Sequence, residues 1–409
     1  MASNPGTAVR PGFRPLRLWL LVRYRLTPWW LRVVVIWALS RVITTWMMLV
    51  FAAWQGPNQW TGAHPDYLQF AQFWDSGWYH TIATTGYPAV LPLIDGHVAA
   101  NAWAFMPGYP FLVRTLMEVT ALPWEPVSVF VSLAFSLGGA LAFYRLMRLV
   151  LPPSVALFSV VLFCVAPLSP ILQVSYAESM AGFLLTVTLY LLLRRRYLVM
   201  LPAIAVLALT RPTGLALALA LALHVVFRWV GRGNDPYPVR ERVTSIIAVA
   251  FTGMMGLAWP TIAWLATGSP SAYADTELAW RAPYVGYQEL VPFSAWIQGA
   301  GFWMPGPLGI VALVLIVALF ATLLFLPAVR RLGSDLVSWI VSYSLYLLAV
   351  FFPQSSTFRL LMPLNPLLGA IAQPRSRIYR ACLVVLFIAG QWGWLYICWW
   401  ADGYDWTPP

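Results

Sequence analysis

The group in this sequence best placed to do chemistry is Asp75. It lies in the run Phe70-Ala71-Gln72-Phe73-Trp74-Asp75-Ser76-Gly77-Trp78-Tyr79-His80. Spaced as on a helix, Phe70, Trp74 and Trp78 fall on one face, while Asp75 and Tyr79 sit one step round, also four apart. A carboxylate held among rings can take the proton of an attacking hydroxyl. Trp74, Trp78 and Tyr79 would shape the cleft beside it. His80 is either a proton relay or an interfacial histidine with satisfied hydrogen bonds, and both readings stay open. Asp66 and Asp95 lack the aromatic frame and read as structural.

A second set of groups suits an anion. The acids number 14 and the basic residues 25, all of them arginine. Five arginines, Arg41, Arg114, Arg211, Arg281 and Arg359, fall inside apolar runs or on the less basic side of the chain. A charge at mid-span costs about 2.5–3.5 kcal/mol on insertion scales, so such residues are functional candidates. Arg211 opens the turn Arg211-Pro212-Thr213-Gly214, and Arg359 follows Pro353-Gln354-Ser355-Ser356-Thr357-Phe358. These two are expected to converge on one anion. Glu178, in Ser175-Tyr176-Ala177-Glu178-Ser179, would either hydrogen-bond sugar hydroxyls or pair with one of these arginines.

The elements that must position these groups are membrane spans. The chain is 60% hydrophobic and 10% charged, with mean hydropathy +0.72. A soluble domain carries roughly 25% charged residues. The net charge of +11 is distributed between apolar runs, which fits membrane topology and argues against nucleic acid. Cys164, Cys382 and Cys398 show no paired spacing, so neither a disulfide framework nor a metal site is expected.

Apolar runs predict about eleven transmembrane helices, from 31–54 to 380–400. The others lie near 126–148, 155–175, 178–193, 197–210, 213–229, 244–267, 306–328, 335–352 and 359–374. With the N-terminus inside, every arginine except the five named faces the cytoplasm, as the positive-inside bias requires. The expected organisation is a basic cytoplasmic arm over residues 1–30, one all-α multi-span domain over 31–400 and a short outer tail over 401–409. Its first outer loop, 55–125, carries the active site on interfacial helices at the extracytoplasmic face. Phe105-Met106-Pro107-Gly108-Tyr109-Pro110 is expected to bend the chain into a re-entrant or surface helix, with Tyr109 beside the site.

These motifs together resemble a known family. Trp74-Asp75, Trp78-Tyr79, Ile82-Ala83, Gly86-Tyr87, Phe105-Met106-Pro107 and Tyr109-Pro110 are similar to the first loop of bacterial relatives of glycosylphosphatidylinositol mannosyltransferase II. Ser40-Arg41, Tyr176-Ala177-Glu178-Ser179, Arg211-Pro212-Thr213-Gly214 and Phe358-Arg359 with Pro363 fit the same pattern. The resemblance implies a GT-C glycosyltransferase of the cell membrane that takes mannose from a polyprenyl-phosphate donor. The acceptor would be a glycolipid or glycan hydroxyl, and the essential first-loop acid maps to Asp75. It implies no certain cofactor; a divalent cation shared by Asp75 and the donor phosphate stays open.

Two other classes compete. A transporter or flippase of lipid-linked sugars would place its charges near the midplane and often shows repeated halves; here most stray charges gather toward one side and no repeat is visible. A non-catalytic membrane scaffold leaves the aromatic loop and the stray arginines unexplained.

Overall fold

The computed structural model describes residues 26–401. The basic arm therefore lies largely, and the outer tail almost wholly, outside the described residues. Helices are numbered here in chain order. Continuous apolar sequence makes helices because a backbone in hydrocarbon must satisfy its own hydrogen bonds. Among the described residues, six helices are long and apolar enough to cross a membrane. They begin with α1 (Trp29–Trp54), and four shorter apolar helices accompany them.

After α1 the chain makes a compact layer at one end of the bundle. It comprises α2 (Tyr67–Phe70), α3 (Ser76–Thr85), a two-stranded antiparallel hairpin of β1 (Leu93–Ile94) and β2 (His97–Val98), and α4 (Gly108–Thr120). Then come α5 (Trp124–Val150), α6 (Pro153–Val165), α7 (Glu178–Leu193), α8 (Tyr197–Ala208), α9 (Gly214–Val230) and α10 (Val239–Thr267). A second segment of short helices holds α11 (Ala272–Ala279), α12 (Ala282–Val285) and α13 (Ser294–Trp303). The chain ends with α14 (Pro307–Leu324), α15 (Pro327–Arg330), α16 (Ser334–Val350), α17 (Thr357–Leu360), α18 (Leu367–Ile371) and α19 (Arg377–Trp394).

Two expectations are corrected. The single span over 359–374 does not form; α17, a 3₁₀ turn Met362–Leu364 and α18 replace it. Pro363 and Pro366 lack amide donors and disfavour helix in the residue before them. The broken segment still runs from one end of the bundle to the other. Arg359 meets Asp75 at its start, and at its end Gln373 accepts from Arg331 at 3.3 Å and donates to the Ala328 carbonyl at 2.6 Å.

The helix expected to carry Phe70, Trp74 and Trp78 on one face is also broken. Asp66 and Gln69 form a capping box that starts α2, which ends at Phe70. Trp74 then takes a left-handed backbone, φ 60°, and α3 begins at Ser76. Burial of Phe70 and Phe73, with Trp60 stacked on Phe73 at 5.3 Å, wins over the helical spacing.

Close helix approach fixes the bundle. At the α9–α10 crossing, a Cβ on Gly214 would stand 2.5 Å from the Gly256 Cα, so only paired glycines let these backbones meet. Arg41, one of the five stray arginines, has a structural explanation. Its guanidinium donates to the carbonyls of Cys164 and Ser169, both at 2.8 Å, and to Gln173 Oε1 at 3.1 Å. It thereby satisfies the acceptors exposed where α6 ends; Gln391 does the same for the Val165 carbonyl at 2.9 Å.

A polar network ties the opposite end of the bundle from Asp75. His224 of α9 bonds Asp335 of α16 at 2.8 Å and the Tyr197 hydroxyl of α8 at 2.9 Å. Tyr197 and Arg228 both donate to Glu241 of α10 at 3.0 Å.

Candidate functional site: four charges lining one cavity

Asp75 sits immediately before α3. Its backbone N–H donates to the Tyr176 hydroxyl at 3.1 Å, and the Ser175 N–H donates to the Ala71 carbonyl at 3.2 Å. These bonds pin the 71–75 turn to the segment that leads into α7. Two residues beyond Tyr176, Glu178 occupies the first turn of α7, where the positive end of the helix favours its charge.

Arg211 lies in the turn between α8 and α9. That turn touches the first loop at Gly108, whose N–H donates to the Leu209 carbonyl at 2.6 Å. A Cβ there would lie 2.5 Å from Thr210 Oγ1 and 2.7 Å from the Leu209 oxygen, so no larger residue fits this approach. Arg359 comes from α17. Its start is set by the Gln354–Thr357 turn, in which the Gln354 N–H donates to Thr357 Oγ1 at 3.0 Å.

The four side chains form an alternating chain of charge. Arg359 pairs with Asp75, and Arg211 pairs with Glu178. Arg359 Nε lies 3.5 Å from Glu178 Oε1, which joins the two pairs. The Arg359 guanidinium also stands over the Tyr176 ring, 5.4 Å from its centroid, a cation–π arrangement. Glu178 Oε2 and Arg359 Nε are buried without a hydrogen-bond partner. The charges therefore balance while hydrogen-bonding capacity is left over. Burial works against the Arg211 charge, but Glu178, Tyr79 and Asp75 outweigh it and hold the guanidinium firmly protonated. Burial likewise pushes the Tyr79 phenol well above its usual range and keeps it neutral.

All four charges line one cavity of about 630 Å³. Its other walls are largely apolar and include Phe135, Phe163, Leu185, Leu257 and Leu347 from five helices. The remaining sequence candidates stand behind this cavity and do not line it. Trp74 packs on Trp60 at 4.6 Å. Trp78 stacks on Phe105 at 5.9 Å and meets Trp280 edge-on. Tyr79 lies between Phe105 and Tyr109, and the Tyr109 hydroxyl donates to the Ser128 carbonyl at 2.9 Å. His80 is exposed and stacked on Trp124 at 5.2 Å, away from Asp75. These rings buttress the Asp75 turn.

Of the other stray arginines, Arg114 forms an exposed pair with Glu118 one helical turn on. Arg281 lines the cavity, together with Tyr273 and Glu277 of α11, neither of which was a sequence candidate. The signal was present: Glu277 lies one helical turn before the rule-breaking Arg281, and Tyr273 one turn before Glu277.

The donor set does not fit a resident divalent cation. Asp75 and Glu178 are each engaged by a guanidinium, and among the described residues no three His, Cys, Asp or Glu side chains cluster to hold a metal. No step is routed through one.

No protein-family model matches the chain, and no curated protein matches it. Among solved structures it is similar to the oligosaccharyltransferase of Archaeoglobus fulgidus in three states. With a tethered acceptor peptide, that protein shares 12% identity at a TM-score of 0.45, over 88% of this chain and 53% of its own. In complex with Zn and sulfate, the values are 14% and 0.48, over 91% and 54%. The same archaeal enzyme, AglB, with an inhibitory peptide and a dolichol-phosphate gives 12% and 0.47, over 92% and 56%. The chain thus spans about half the length of these proteins.

Proposed function

We propose that this chain is an inverting membrane glycosyltransferase. It moves mannose from polyprenyl-phosphate mannose to a hydroxyl of a lipid-linked or cell-envelope glycan at the outer membrane face. One observation carries the reading: two acids and two arginines from four distant segments meet in one cavity whose remaining walls are largely apolar. Clustered charge in a largely apolar cavity suits a ligand that joins a phosphate to an isoprenoid. The first-loop motif around Asp75 supplies the sugar chemistry.

The donor phosphodiester carries one negative charge and competes with Asp75 and Glu178 for the guanidiniums of Arg359 and Arg211. Moving Arg359 onto phosphate frees the Asp75 carboxylate. The acceptor oxygen then forms its bond to the anomeric carbon as the carbon–oxygen bond to phosphate breaks. Asp75 takes the acceptor's proton, and the departing phosphate keeps the bonding electrons. Its second negative charge develops during the reaction, so the arginines stabilise the transition state more than the bound donor. A single in-line displacement inverts the centre, and a β-linked mannosyl phosphate yields an α-mannoside.

The experiment is transfer by the purified protein from radiolabelled polyprenyl-phosphate mannose to membrane glycolipids. Label in a glycolipid product supports the reading. Movement of intact donor across proteoliposomes without transfer would replace it with a flippase.

A further inference from the structure

Glu277 is an acid inside the same cavity that the reaction above leaves unused. It lies on α11, whose buried Ala272, Thr276 and Ala279 and a bond from the Asn101 amide to Thr276 Oγ1 at 2.9 Å fix it against the first loop. Tyr273, Glu277 and Arg281 recur every four residues, which places them in line on one side. All three line the cavity, as does Trp280.

The groups facing Glu277 come from every side of the site. Tyr273 is hydrogen-bonded to it and Arg281 is near it on its own segment. Arg211 reaches it from the α8–α9 turn and Asp75 from the start of α3, and Tyr346 of α16 also faces it. Arg281 is turned partly aside, donating to the Val350 carbonyl. Burial holds the Glu277 carboxyl above its ordinary range in spite of Arg281, Tyr273 and Arg211. Beside it, the Trp280 indole N–H is buried without a hydrogen-bond partner.

The two arginines account for a phosphate and Asp75 for an attacking hydroxyl, and within that cluster only Glu178 Oε2 is left to meet the sugar between them. A hexose presents neighbouring hydroxyls that need both acceptors and donors in a site closed to water. A carboxyl group that is readily protonated supplies both, and an indole beside it offers an apolar face to the sugar's C–H groups. We propose that Glu277, held by Tyr273, binds the hydroxyls of the transferring hexose and keeps its anomeric carbon between Asp75 and the arginine pair. This rests on the glycosyl-transfer reading.

The test uses the full chain in detergent with polyprenyl-phosphate mannose and its singly deoxygenated analogues. Removal of one sugar hydroxyl should lower wild-type kcat/KM by about 10–100-fold, the effect of a lost hydrogen bond to such a group. Glu277→Ala should lose a similar factor on the full sugar and little more on that one analogue. Glu277→Gln should retain most transfer. If the neutral carboxyl is the working form, wild-type transfer is highest while Glu277 is protonated and falls as pH rises through its raised pKa. Gln removes that limb.

Equal losses by Glu277→Ala on every analogue, or none at all, in protein with a wild-type unfolding midpoint would overturn the assignment. Should Ala fail to fold, Tyr273→Phe, which releases Glu277 from its hydrogen bond, carries the same comparison. Wild-type protein that transfers no hexose from any polyprenyl phosphate overturns the reading beneath it, and the assignment with it. Wild-type transfer without the coupling overturns the assignment alone.

Discussion

Arg359 reaches Asp75 across 284 residues of sequence and pairs with it in the wall of the cavity. The relationship gives the aspartate two states. Paired, its carboxylate is engaged by a guanidinium rather than by an acceptor hydroxyl. Once an anion draws Arg359 away, it is free to accept a proton. On the proposed reaction, donor binding and activation of the acceptor would be linked through one guanidinium, and the donor is expected to bind first. Asp75→Asn keeps the shape and removes the base. A general base typically contributes ~10²–10⁴-fold, so turnover should fall by that order while the variant still binds donor lipid. Asp66→Asn is the control from the same loop. Its side chain caps α2, so its cost should appear in stability rather than in turnover per folded molecule. Near-normal transfer by folded Asp75→Asn would remove Asp75 from the chemistry.

The arginines should separate by variant. Lysine keeps the charge of Arg211 or Arg359 but loses the planar fork that grips phosphate with two bonds. Arg→Lys is expected to raise the donor KM and lower kcat partially; Arg→Ala should be severe in both. Each alanine also strands the partner acid, since Arg211 holds Glu178 and Arg359 holds Asp75. A folded double variant Arg211→Ala/Glu178→Ala separates the two effects. If it restores stability but not transfer, Arg211 acts on the donor. Full transfer by either folded single alanine variant, at unchanged donor KM, makes that arginine structural.

Much of the site could be read from residue chemistry alone, because a charge in a 60% hydrophobic chain stands out. Arg211 and Arg359 broke the positive-inside bias, Asp75 stood among aromatic rings and Glu178 lay between two apolar runs, and the structure brings these four together. Their pairing could not be read, since it depends on how the short segments 71–75 and 354–359 fold. The aromatic spacing misled for a related reason. Phe70, Trp74 and Trp78 keep a helical interval, but burying Phe70 and Phe73 against Trp60 and Trp399 requires a turn where the helix was expected. Prolines at 363 and 366 were visible, yet the apolar run around them suggested a span that the structure builds from short pieces. Glu277 was missed because its segment has no apolar periodicity; only its spacing from Arg281 marked it.

Gly108 links the two halves of the site, since its N–H bonds the Leu209 carbonyl beside the Arg211 turn. Gly108→Ala puts a methyl at 2.5 Å from Thr210 Oγ1 and 2.7 Å from the Leu209 oxygen. The backbone must move apart, at a cost typical of overpacking, about 1–3 kcal/mol. The unfolding midpoint in detergent should drop, and donor KM should rise because Arg211 shifts with its turn. A variant with wild-type stability and KM would show that the contact is not needed to place Arg211.

Orientation decides whether this site faces lipid-linked sugars outside or soluble nucleotides inside. Arg194–Arg196, Arg228, Arg232, Arg240, Arg242, Arg330 and Arg331 lie at the end of the bundle away from Asp75, around the His224–Asp335 network. The basic end should therefore be cytoplasmic and the Asp75 end outside. Cys382 is exposed, so labelling starts from Cys382→Ser. In that background Ala89→Cys, in the exposed first loop, should react with an impermeant maleimide on intact cells. Arg240→Cys, also exposed, should react only after the membrane is opened. The reverse pattern would turn the molecule over, put Asp75 in the cytoplasm and make a polyprenyl-phosphate donor at the outer face untenable.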